Sequence, residues 1–348
     1  MQPVNDADQP PGQLHAPIDP YAHGMMDTGD GHRIYFEQCG NPQGLPVVVL
    51  HGGPASGCSP LQRRFFDPAV FRVVLFDQRG CGRSTPRGTL ANNDTPALVR
   101  DIEQLRGQLE IDRWIVFGGS WGASLAIAYA AHHEATCLGV ILRGTFLTGS
   151  RDLDWFFGGA GSLLPAPWQK LVAAVELPLA LEQCEHAGHA VLASLQRRLF
   201  TADEAVSGAA AAAWADWEEA VSRPGTGPSA GRLIKEASGA DQASGPAPAQ
   251  HRDLSDKYRV QAHYLAQQCF LGEEMLLGLA RRLGSLPVEI VHGRLDWVCR
   301  PTNAWQLHQA VAGSTLTWVD HAGHNPYDPK MLKALGDAIR RLQACVCG

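Results

Sequence analysis

No stretch of this chain approaches the roughly 18 consecutive apolar residues that a membrane-spanning helix requires, so no membrane span is expected. Basic charge is scarce as well: 29 Lys and Arg stand against 35 Asp and Glu, a net charge of −6. With an isoelectric point near 6.1, the chain lacks the basic surface that nucleic acids or polybasic membrane contacts require. The opening "MQPVNDADQPPGQ" has neither the basic nor the apolar region of a secretory leader. Cysteine does not pair off. Nine are scattered over 348 residues, which suits reduced thiols in a cytosol better than a disulfide framework. The terminal "CVCG" has no second cysteine pair nearby and reads as a frayed tail. Internal repeats are absent too, which excludes a solenoid.

What is present suits a globular protein: 45% hydrophobic and 18% charged residues in a chain long enough to bury a sizeable core. Short β-branched runs recur, namely "PVVVLHGG", "FRVVLFD", "RWIVFGG", "LGVILRG", "PVEIVHG" and "STLTWVD". Near-continuous apolar runs of this kind predict strands buried on both faces, hence a mostly parallel sheet. Helical stretches such as "TPALVRDIEQLRGQL" and "WGASLAIAYAAHH" fall between them, and "MLKALGDAIRRLQA" closes the chain. Strand–helix alternation predicts an α/β fold.

The alternation divides the chain. Residues 1–20 are expected to be disordered, 21–146 to form the first part of an α/β core, and 285–348 the second. Residues 147–284, rich in Ala, Trp and Leu, read as a mainly helical cap insertion. Within it a Gly/Pro-rich stretch near 223–250 is expected to be a loop.

The motif G-x-S-x-G occurs twice, at "GGSWG" around Ser120 and at "GPSAG" around Ser229. Only Ser120 follows a strand and precedes a helix, the context in which a serine is held on a sharp turn at the sheet's carboxyl edge. Ser229 lies in the Gly/Pro-rich stretch and reads as loop. A serine hydroxyl needs a base, itself oriented by an acid, and in this fold the order is Ser, acid, His. Asp296 follows the strand "VEIVHG" and His324 follows "TLTWVD", so both reach the edge that carries Ser120. A second "HAGH", at 186–189, precedes the acid and is excluded by order. His321 reads as a solvated loop residue. A zinc reading of "HAGH" lacks both the glutamate of H-E-x-x-H and a third ligand, so no metal and no cofactor are expected. Oxyanion donors are expected from the backbone N–H groups of Trp121, directly after the serine, and Gly53 in "HGGPAS".

These segments, together with "DQRGCGRSTP" and "VHGRLDWVCRP", resemble the prolyl aminopeptidases, also called proline iminopeptidases, from about Tyr21 to the last helix. The resemblance implies an α/β-hydrolase fold, the triad Ser120, Asp296 and His324, and the two oxyanion donors. It further implies removal of N-terminal residues, preferably proline, from peptides through an acyl-enzyme. That family reads the substrate's α-amino group with two cap carboxylates. One matches Glu218 in "WADWE". The other falls on Gln261 in "RVQAHYL", where the family has glutamate. Phe146 and Phe156 match the proline pocket, whereas Leu265 replaces an aromatic and Ala55 replaces the last glycine of HGGPG. Glu273 and Glu274 offer replacement carboxylates, and a thiol reagent on Cys299 is expected to crowd Asp296. An esterase or amidase with a relaxed need for a free amine is the alternative. A binding module with a vestigial triad stands further off, since Ser, Asp and His are all present. The expected substrate is thus a peptide or a small amide or ester, with no nucleic acid or membrane partner and a cytoplasmic location expected. The sequence does not specify oligomeric state.

Overall fold

The computed structural model describes residues 12–178, 186–223 and 248–348. Its centre is one eight-stranded sheet in the order β1-β2-β4-β3-β5-β6-β7-β8. The strands are β1 (Ala22–Asp27), β2 (Arg33–Gly40), β3 (Leu45–Leu50), β4 (Phe71–Phe76), β5 (Trp114–Gly119), β6 (Cys137–Arg143), β7 (Val288–Gly293) and β8 (Thr315–Val319). β2 pairs antiparallel with both β1 and β4, and every later pairing is parallel. The six runs picked out from the sequence are β3 to β8. Their side chains alternate between two cores: Val48, Leu50, Val116 and Ile290 face one, while Val47, Val49, Ile115, Phe117 and Val291 face the other. Both faces are covered, which is why these strands are apolar almost throughout.

Helices fill the two faces. On the first lie α1 (Thr95–Gln108) and α2 (Trp121–His132). α2 is buried from Trp121 to Ala131, as a helix apolar all round must be. On the other face lies α10 (Pro329–Cys347), with Met331, Leu335 and Leu342 in the second core. Its N-cap Asp328 accepts from Lys330 N at 2.8 Å, a bond of the kind that contributes about 1 kcal/mol. That capping residue lies four residues after His324 and fixes the helix start beside it.

Between β6 and β7 the chain forms α3 (Ser150–Phe157), α4 (Pro165–Ala174), α5 (Ala187–Leu199), α6 (Glu204–Ser222), α7 (Pro248–Ala266) and α8 (Gly272–Ala280); α9 (Pro301–Ala310) follows β7. Ser229 and residues 224–247 of the expected loop lie outside the described residues, and α7 begins at Pro248, inside the expected loop range. The N-terminal expectation needs a correction as well. Residues 12–20 are not a loose leader: His15 N donates to Arg64 O (2.9 Å), Arg63 donates to Ile18 O (3.2 Å), and Leu14 and Ile18 pack on the second core. Proline and polar residues hid a segment that is held by backbone groups.

Candidate active site

Ser120 sits between β5 and α2 with φ 57° and ψ −124°, a left-handed conformation that costs a non-glycine residue about 1–3 kcal/mol. The surrounding glycines make the turn possible. A Cβ on Gly122 would collide with the Leu50 carbonyl, so α2 approaches β3 only because that side chain is missing. The strained turn pushes the serine hydroxyl out of the sheet edge into a cavity of about 390 Å³.

His324 opens onto the same cavity from the loop after β8. Its Nδ1 lies 2.7 Å from Asp296 Oδ2. Asp296 is buried behind it, and its Oδ1 accepts from Val298 N (3.0 Å) and Cys299 N (2.8 Å). Burial alone would raise this carboxyl, but His324, the neighbouring His292 and these backbone donors outweigh it and hold the carboxyl below its usual range. The acid therefore remains ionised, with His324 Nδ1 as its donor. Asp296 and His324 are thus bonded to each other, and Ser120, from a distant part of the chain, lines the same cavity as His324. His321 is exposed and His189 lies in the cap bonded to Asp154, so neither competes.

Trp121 opens α2, and its N–H is one of the first-turn donors that have no intrahelical acceptor. Gly53 lines the cavity opposite. A buried clamp ties these two places together: Gln78 Nε2 donates to His51 O (2.9 Å), Gln78 N donates to His51 Nε2 (3.0 Å), and Trp121 Nε1 donates to Gln78 Oε1 (2.9 Å). The "DQRG" segment therefore positions the loop carrying Gly53. Ala55 in that loop has φ 71°, the left-handed region that favours the glycine it replaces.

Phe146, just after β6, and the helices between β6 and β7 supply more of the wall. Phe146, Phe156, Leu265, Glu218 and Gln261 all line the cavity. Trp214 and Trp217, three apart on α6, are fully buried, and Trp217 Nε1 donates to Phe156 O (2.9 Å). Burying two indoles fixes the rotation of α6 and turns Glu218 toward the cavity. Gln261 is 5% exposed, and its Oε1 has no partner among the described residues. Glu273 and Glu274 do not line the cavity: Glu273 lies beside Gly149 and Glu274 is exposed.

Two further groups here, a Lys–Tyr pair and an arginine, were not picked out from the sequence. Lys257 Nζ lies 3.1 Å from Glu218 Oε2, and the Tyr258 hydroxyl donates to the same oxygen at 2.6 Å. Burial raises the Glu218 carboxyl, but Lys257 and Tyr258 together hold it below its usual range. The carboxylate that should read a substrate's ammonium already has an internal cation. The signal was available, since Lys257 precedes Gln261 by four residues and so shares its helix face. The second is Arg143, at the end of β6. It lines the cavity, donates to His324 O (2.8 Å) and lies 3.5 Å from His324 Nε2. Cys299 is buried with Sγ 4.0 Å from Ser120 Oγ, so a bulky group on it would crowd the serine as directly as Asp296.

A serine on the strand–helix elbow after β5, with an acid beyond β7 and a histidine beyond β8, defines a hydrolase of the α/β-hydrolase fold. A family model described as the alpha/beta hydrolase fold matches residues 46–330. The sequence is 42% identical to a proline iminopeptidase of Xylella fastidiosa over 324 residues, 92% of this chain and 96% of that one. It is 38% identical to a proline iminopeptidase of Arabidopsis thaliana over 340 residues, covering 95% and 82% of the two chains. At these levels the chain belongs to the proline iminopeptidase family. Solved structures share the fold at lower identity. A Bacillus anthracis bromoperoxidase superposes with TM-score 0.59 at 17% identity, covering 93% of this chain and all of that one. A proline iminopeptidase-related protein of Thermus thermophilus gives 0.56 at 20%, covering 93% and 98%.

Proposed function

We propose that the chain is a serine aminopeptidase that releases N-terminal residues, proline foremost, from peptides through an acyl-enzyme on Ser120. The observation that carries this reading is that His324, held from behind by Asp296, opens with the strained Ser120 onto one cavity that Glu218 also lines. His324 removes the Ser120 proton as Oγ attacks the scissile carbonyl, and Asp296 steadies the imidazolium. The N–H groups of Gly53 and Trp121 receive the oxyanion. His324 then gives its proton to the departing amine, and a water activated by the same imidazole releases the acyl group. Phe146, Phe156 and Leu265 offer an apolar wall for the first side chain, while Glu218 and Gln261 accept from its amine. Residues 147–284 act as the cap that limits the site to a chain end. The eight described cysteines are all free, which supports a reducing compartment such as the cytoplasm, and no described helix is long and apolar enough to cross a membrane.

A second reading, an amidase or esterase with a relaxed need for a free amine, draws on the Lys257–Glu218 pair and the uncharged Gln261. Aminoacyl arylamides, free and N-acetylated, separate the two. The peptidase turns over the free series with prolyl substrates fastest, whereas equal turnover of both series establishes the second reading. A fluorophosphonate probe should label the wild type and not Ser120→Ala; absence of labelling in the wild type would overturn both.

A further inference from the structure

We propose that the cap carries a site for a divalent transition metal of the Zn²⁺ or Co²⁺ type, formed by Asp154, His186 and His189. As sequence, "HAGH" at 186–189 offers two imidazoles and no third ligand. The fold supplies the third from α3. His189 Nδ1 lies 2.8 Å from Asp154 Oδ1 and His186 Nδ1 lies 3.2 Å from Asp154 Oδ2. One donor atom from each of the three residues falls within 4.8 Å of the others.

The meeting of these residues depends on the residue between the two histidines. Gly188 lies against α3, and a Cβ there would sit 2.6 Å from Asp154 Cα and collide with the Leu153 carbonyl. Only glycine lets the start of α5 come this close, and the close approach sets Asp154 between the two rings. The carboxylate therefore receives both imidazoles on its two oxygens, a two-nitrogen, one-oxygen donor set.

That donor set selects the ion. Imidazole suits Zn²⁺, Co²⁺ and similar ions, whereas Mg²⁺ and Ca²⁺ prefer oxygen ligands. A tetrahedral ion with bonds of about 2.0–2.1 Å places its ligands about 3.4 Å apart. The two His–Asp separations, 2.8 and 3.2 Å, both fall a little short of that value, so binding needs them to open by a few tenths of an ångström (about 0.2–0.6 Å) and the two imidazoles to draw together. His186, 72% exposed, is free to swing inward. The metal replaces the protons shared between the imidazoles and the carboxylate, and water completes the fourth position.

Bound there, the ion would staple α3 to α5 and play no part in hydrolysis. α3 is the helix that reaches the active site: Phe156 lines the cavity, and Trp155 Nε1 donates to Trp297 O at 2.8 Å, beside Asp296. The site stands whatever the cavity hydrolyses.

The test is a Co²⁺ titration of the metal-stripped full-length chain, read by visible absorption and by Tm. The expected result is one Co²⁺ per chain, with the d–d bands of nitrogen–oxygen coordination, no thiolate charge-transfer band, and a metal-dependent rise in Tm. Binding should persist in Cys345→Ser/Cys347→Ser, which removes the exposed thiols of α10. It should weaken by about a hundredfold or more in His186→Asn/His189→Asn, beyond the 10–100-fold typical of losing an outer-shell partner. Asp154→Asn should weaken it by about tenfold or more and decides the matter if the double variant fails to fold. No binding by the wild type, a thiolate band, or binding unchanged in the Asp154 and histidine variants would overturn the site.

Discussion

Replacing Lys257 with methionine should increase the enzyme's grip on a charged substrate amine. Lys257 Nζ is 3.1 Å from one oxygen of Glu218. A substrate ammonium on the other oxygen would lie about 5 Å from Nζ. Two like charges at that distance repel by about 3 kcal/mol at an effective dielectric of 20 and about 0.8 kcal/mol in bulk water. The two side chains are 26% and 30% exposed, which places the value between those limits, at about 1–2 kcal/mol. Removing the repulsion should raise kcat/KM for free-amine substrates about 5- to 30-fold. N-acetylated substrates present no charge and should be unaffected. The sign of the pH dependence also follows. Without Lys257, only Tyr258 and His324 still oppose the burial of Glu218, so its carboxyl should rise relative to the wild type, and the gain should be full at neutral pH and above and fade as acid protonates the group. Stability shows the complementary pattern. In the wild type Glu218 is held down, and its contribution is present above the ordinary value of 4.5 and lost as pH falls through the lowered folded value. In the variant the part of that contribution supplied by Lys257 is gone. The Tm deficit of Lys257→Met should therefore be widest near pH 7 and close below pH 4.5. The assay is steady-state kinetics on paired free and acetylated prolyl arylamides from pH 5 to 9 (about the range a folded domain tolerates). Free-amine kcat/KM that is unchanged or lower at every pH refutes the reasoning.

Three further outcomes are expected. Gln261→Glu should raise kcat/KM for free-amine substrates by restoring a second carboxylate, and Glu218→Gln should lower it sharply; if both are silent, the cap reads the amine through other groups. A bulky thiol reagent should modify the exposed Cys345 and Cys347 first without loss of activity. Inactivation should come later, because burial pushes the Cys299 thiol well above its usual range and only the thiolate reacts quickly. Mass mapping that finds Cys299 unmodified in inactivated enzyme would refute this. Ala55→Gly should stabilise the fold by about 0.5–1 kcal/mol, since relief of a left-handed alanine outweighs the added freedom of the unfolded chain; a lower Tm would refute it.

The strands buried on both faces were the most legible part of the sequence, because a parallel sheet leaves unbroken apolar runs. β1 and β2 were not picked out. β2 reads "RIYFEQCG", and its Glu37 and Gln38 are buried; Arg63 neutralises Glu37 at 2.7 Å and Arg72 donates to Gln38 at 2.6 Å. Partners supplied from elsewhere in the chain make a polar pair tolerable inside, and no local pattern reveals them. In the candidate site, Ser120, Asp296 and His324 could be proposed from the sequence because the fold imposes an order and places each beyond a strand. Lys257 and Arg143 were not, since each gains its importance only from what α6 and the loop after β8 bring beside it. Asp154 is the same case: 32 residues separate it from His186, and only the Gly188 contact makes them neighbours.

The position of the cap within the chain order has a consequence for how activity is acquired. Ser120 and its flanking helix belong to a run of parallel strands that pair near neighbours in sequence, β3 to β6. Asp296 and His324 arrive only after all of α3–α8 has been threaded between β6 and β7. Closing so long a loop is entropically slow and must precede the β6–β7 pairing. In a refolding experiment the nucleophile's half can therefore become compact while the molecule remains inert. Turnover then measures the last long-range docking event, later than the recovery of helical signal, which makes the active site a clock for completion of the fold.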